Sequence, residues 1–144
     1  MHTTNEYLDV DDSNYPVVVY RFSDIDPSEK DFDEYLKVVS EMIDRPGKVI
    51  QLMDASQVGF MKTQDRIKAA NFLRDNRDRI QKGTHAYVFV TKTLITRFLI
   101  HGILQIQPLP VTYRLFDSFE KAHKWSMREM GLEPEAVKSE RVSS

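Results

Sequence analysis

The sequence predicts a single α/β domain organised around a largely parallel β-sheet. Three observations lead there. Val49-Ile50-Gln51-Leu52-Met53 and His85-Ala86-Tyr87-Val88-Phe89-Val90 are near-continuous apolar runs, the pattern of strands covered on both faces. Single helical stretches separate the later strands, which calls for crossover connections and parallel neighbours. Two of those stretches open on capping signals, Asp26-Pro27-Ser28-Glu29 and Asp117-Ser118-Phe119-Glu120. The expected order is β-β-α-β-α-β-α-β-α: about five strands, with an antiparallel edge strand, and about four helices.

Asn5 to Val10 and Tyr15 to Phe22 read as a hairpin joined by the polar turn Asp11-Asp12-Ser13-Asn14, with Pro16 suited to a strand start. Asp26 is placed to cap the first helix, Pro27 fits its first turn, and Glu29 completes a capping-box spacing. Phe32, Tyr35, Leu36, Val39, Met42 and Ile43 recur at spacings of three and four and form its inner face. Pro46-Gly47 stops it.

The central strand, Lys48 to Asp54, ends in Asp54-Ala55-Ser56, residues that bond their own backbone in turns. Loops beyond strand C-termini are where open α/β sheets place function, so the site is expected here. Thr63 is the expected N-cap of a second helix reaching Gln81, with Gly83 beyond its end. The apolar face of that helix is thin: Ile67, Ala70, Leu73 and Ile80. Its charges fit a solvated face carrying the pairs Asp75–Arg79 and Asp78–Lys82, or a docking face for an acidic partner.

A third helix, capped by Thr91 or Thr93, carries Leu94, Ile95, Phe98, Leu99, Ile100, Ile103, Leu104 and Ile106. One-sided burial does not need so much apolar surface. Either the helix is deeply buried, or one face meets a second subunit or a lipid. Val111 to Phe116 is the last strand, and a closing helix runs to about Met130 through Phe119, Ala122 and Trp125. The domain spans 1–130, and 131–144 is a polar tail expected to form at most a loose helix.

Composition narrows the function classes. Twenty Lys and Arg against twenty-two Asp and Glu give a formal charge of −2, which argues against a dedicated nucleic-acid binder. The absence of cysteine excludes disulfides, thiol catalysis and cysteine zinc sites. The polar start lacks the layout of a signal peptide, and no apolar run reaches membrane-spanning length. A cytoplasmic location is expected. His2, His85, His101 and His123 are scattered without metal-ligand spacing, no glycine-rich phosphate loop occurs, and no Gly-x-Ser-x-Gly elbow occurs. No catalytic residue, metal or cofactor is expected.

Three local features carry a resemblance: Tyr15-Pro16-Val17-Val18-Val19, Met53-Asp54-Ala55-Ser56, and Phe116-Asp117-Ser118-Phe119-Glu120-Lys121-Ala122-His123-Lys124-Trp125. With the order of elements, the chain resembles the SpoIIAA-like (STAS/Sec14-type) domains from about Tyr7 to Met130. In the members that antagonise anti-sigma factors, the strand ends in Asp-x-Ser, and Asp-Ser-Ser-Gly follows at a helix N-terminus. The first Ser of that motif takes a phosphate from a partner kinase. Here Asp54-Ala55-Ser56 matches the first part, while Lys62-Thr63-Gln64-Asp65 replaces the second. The resemblance puts Thr63 at the phosphoacceptor position, with Ser56 beside it.

Two functions follow as expectations. The first is a non-catalytic interaction module binding a partner protein through Asp54, Ser56, Phe60, Met61, Lys62 and Arg66, with Thr63 as a switch or simply a helix cap. Phe60 is assigned to the core under the loop. The second is a carrier of a small apolar ligand or lipid, its pocket lined by Phe98, Leu99 and Ile103 with Arg97 or His101 as polar anchor. The same helix face is the candidate surface for a homo-oligomer.

Overall fold

The computed structural model describes residues 2–132. The loose helix expected in the tail falls outside the described residues. Six strands form one sheet in sequence order: β1 His2–Thr4, β2 Leu8–Asn14, β3 Val17–Phe22, β4 Val49–Asp54, β5 Thr84–Val90 and β6 Thr112–Phe116. β1, β2 and β3 are antiparallel, and β3 through β6 are parallel. The α/β class and antiparallel edge agree with the sequence, and β1 is one strand more than expected.

The hairpin is shifted along the chain. Asn5 Oδ1 accepts from the backbone N–H groups of Tyr7 and Leu8, each at 2.8 Å, so residues 5–7 turn instead of starting a strand. Asp11 to Asn14 therefore lie in β2, and the reversal falls at Tyr15-Pro16, a cis peptide bond, where Tyr15 N–H reaches Asp12 O at 3.0 Å.

Five helices connect and cover the sheet: α1 Glu29–Ile43, α2 Thr63–Asp75, α3 Arg77–Gly83, α4 Leu94–Ile106 and α5 Phe119–Glu129. The cap of α1 is Ser28, not Asp26: the Ser28 hydroxyl accepts from Asp31 N–H at 3.1 Å, and Pro27 stands before the helix. The stretch expected as one helix is divided at Asn76, which explains the fifth helix. Asn76 bonds back through its side chain to Phe72 O at 2.9 Å, and Arg79, bonded to Asn76 Oδ1, extends toward α1. Its guanidinium reaches Asp44 Oδ2 at 2.7 Å and Ser40 O at 3.0 Å on the last turn of α1. Positive charge is favourable there, beside carbonyls left open at a helix C-terminus. The expected Asp75–Arg79 pair is thereby replaced, and Asp75 pairs with Arg74.

Gly83 is the last residue of α3, not a cap beyond it. A Cβ at this position would strike the carbonyl oxygen of Ile43, so α3 and the end of α1 meet where only glycine fits.

Alternation along β4 divides two cores. Val49 and Met53 face α1 to α4, with Val10, Tyr20, Phe32, Val39, Met42 and Ile80. Ile50 and Leu52 face α5 alone, with Val17, Val88, Val90 and Ala122. Burying the strand on both sides is what its continuous apolar run required.

Candidate functional site

The loop after β4 is held at several points. Asp54 Oδ1 accepts from Ser56 N–H at 3.1 Å, the turn its sequence predicts. Ala55 N–H donates to Val90 O at 3.0 Å, tying the loop to the end of β5. The Thr96 hydroxyl, 2% exposed, donates to Val58 O at 2.6 Å and ties it to α4 as well. Val58 and half-buried Met61 pack on the larger core.

Phe60 does not. It is 66% exposed, against the expectation that it plugs the core. Val58 and Met61 already fill the space beneath the loop, and Phe60 projects outward between them. Ile67, on the next turn of α2, is also exposed where the sequence placed it on the inner face.

The start of α2 differs in detail. Its N-cap is Lys62, which makes no side-chain cap bond, and Thr63 is the first helical residue. The Thr63 hydroxyl is exposed and accepts from Arg66 Nη2 at 2.8 Å. Lys62 turns inward, with Nζ 3.0 Å from Pro27 O, 3.4 Å from Asp26 Oδ1 and 3.8 Å from Asp65 Oδ2. Asp65 is 2% exposed, and burial pushes its carboxyl above the usual aspartate range while Lys62 opposes the shift. Sequence reasoning missed Asp65. Its signal was a carboxylate in the first turn of a helix one turn ahead of inward-facing Ala69.

The α4 residues divide between two sides. Leu99 and Ile103 face inward; Phe98 is 69% exposed. Arg97 is exposed and His101 half-buried. Beneath the helix lie two adjoining apolar cavities of about 70 and 90 Å³, which share Tyr35, Ala69, Phe89, Ile100 and Ile103. Neither Arg97 nor His101 lines them, and Phe98 does not either. The lining residues that carry a hydroxyl are Tyr7, Tyr35, Tyr87 and Thr96. Among the described residues, no group of three or more His, Asp or Glu is placed to hold a metal ion, and no helix is long and apolar enough to cross a membrane.

No family model and no curated protein matches the chain. Solved structures do match in fold. A protein of the DUF3478 family from Shewanella loihica PV-4, described as SpoIIAA-like, superposes with a TM-score of 0.61 at 8% identity, covering 88% of this chain and 98% of that one. SiaC of Pseudomonas aeruginosa, solved as the activator in complex with the diguanylate cyclase SiaD, gives 0.55 at 10% identity, covering 81% and 99%. The fold is SpoIIAA-like.

Proposed function

We propose that this chain is a non-catalytic regulatory domain that binds a partner protein through the loop from Asp54 to Lys62 and the first turns of α2. The observation that carries the reading is the pairing of a clamped backbone with an outward apolar tip. Hydrogen bonds to β5 and α4 hold the loop, yet Phe60 and Ile67 stand in solvent. An exposed aromatic on a rigid loop loses little entropy on docking, the property of an interface anchor. SiaC, which shares the fold, is an activator captured on its enzyme, and this supports a partner-binding role here.

Thr63 suits a switch at that surface. A phosphate on its exposed hydroxyl would meet the Arg66 guanidinium and the open amides of the first helical turn. Lys62 would stay on Pro27 and Asp26. The test is cross-linking capture from the source cell with wild type, Phe60→Asp and Arg66→Glu. A partner retained by the wild type and lost from both folded variants supports the reading. A partner retained equally by all three overturns it.

A second reading, a carrier of a small apolar molecule, is favoured by the two cavities beneath α4. Native mass spectrometry of protein from its own source separates the readings: a retained apolar adduct supports the carrier, and a bare mass opposes it.

A further inference from the structure

The outer face of α4 is a second surface, separate from the loop. Leu94, Phe98, Gly102 and Ile106 lie on one i, i+4 ridge, with Ile95 beside it. The four large side chains are each between 63% and 69% exposed. Together they present roughly 500 Å² of apolar surface, at the upper end of what a monomer leaves in water. Arg97, on the flank, is the one charged residue of the helix.

Gly102 is the second observation. Glycine in a helix interior is unfavourable relative to alanine, and its usual justification is a close neighbour. Gly83 has one. Gly102 has none: a Cβ built there meets no atom within 4 Å. Within the fold, nothing requires glycine at that position. On the surface it leaves a hollow one turn from the most prominent knob of the ridge, Phe98.

We infer that this face is where two copies of the chain meet, α4 against α4, with Phe98 of each copy seated over Gly102 of the other. A knob and a hollow one turn apart on one ridge are self-complementary under a two-fold axis, as an isologous interface demands. The seam carries no charge, so a second copy brings no like-charge conflict into it. A lipid surface fits less well, because an interfacial helix carries a cation-rich polar face and α4 has one arginine. The apolar area falls below the roughly 800 Å² per partner of a stable interface, so the dimer is reversible and concentration-dependent.

The test is sedimentation velocity of the full chain over a wide concentration range, with Phe98→Glu and Gly102→Leu beside the wild type. A dimer in the wild type, weakened at least about tenfold in both variants while their melting curves show folded protein, is the expected result. Gly102→Leu keeps the test decisive should Phe98→Glu fail to fold, since its side chain enters open space. A wild type that stays monomeric throughout overturns the inference, as does a dimer indifferent to both substitutions. Wild-type monomer that instead co-sediments with phosphatidylglycerol vesicles, and loses this with Phe98→Glu, also overturns it in favour of a lipid surface. Phe60→Asp should leave the dimer intact, which separates this surface from the partner-binding loop.

Discussion

The buried hydroxyl of Thr96 donates a 2.6 Å hydrogen bond to the carbonyl oxygen of Val58, joining the first turn of α4 to the middle of the loop after β4. Thr96 also meets the Thr93 cap, whose hydroxyl accepts from Thr96 N–H at 3.2 Å. The loop, the helix start and the cap therefore form one connected unit.

Thr96→Val keeps the shape and removes the donor, leaving the Val58 carbonyl short of its partner in a part-buried site. The expected cost is about 1–3 kcal/mol. Chemical denaturation measures it, and hydrogen exchange should quicken in the loop and the first turn of α4 more than in β4.

Arg79 binds α3 to the end of α1 through Asp44 and the Ser40 backbone. Asp44 is well exposed, so the ion pair itself adds little, and the bonds to Ser40 and Asn76 carry more of the effect. Arg79→Ala should cost about 1 kcal/mol. Arg79→Lys should recover less than half, because one ammonium cannot satisfy the carboxylate, the carbonyl and the amide together.

The same substitution should have opposite signs at two glycines. Gly83→Ala forces a methyl into the Ile43 carbonyl and should destabilise by about 2 kcal/mol or more. Gly102→Ala adds helix propensity in open space and should stabilise the monomer by about 0.5–1 kcal/mol. Thermal melts at a concentration too low for association compare the two directly.

Asp65 supplies a pH dependence. Burial raises its folded pKa above the ordinary 3.8, so the folded state holds its proton to higher pH than the unfolded chain does. Between those two values the folded state binds more protons, and stability falls as pH rises through the window. Asp65→Asn should lack this component: relative to wild type it should gain stability as pH rises from the ordinary aspartate value to neutrality. Urea titrations at several pH values measure that difference, and a flat difference would refute the assignment.

Much of the architecture was legible in the residues themselves. The apolar runs at Val49–Met53 and His85–Val90 required strands covered on both faces, and β4 and β5 have them. Thr93 and Ser118 cap their helices through bonds spanning three residues, as Ser28 does two residues on from where the capping box suggested. Such signals are readable because both partners lie within one turn of chain, and their free energies depend little on what packs nearby.

What only the tertiary structure decided depended on neighbours distant in sequence. Asn76 ends α2 while Arg79 reaches α1, thirty-five residues from Asp44. Phe60 points outward with Val58 and Met61 occupying the space beneath it, and nothing in the loop's composition ranks the three. The apolar residues of α4 outnumber the inward positions available over α2 and the cavities, so periodicity alone could not say which would remain in water. Hydrophobic burial is non-directional, and the side chain that wins a place inside is chosen by the shape of the space the rest of the fold leaves.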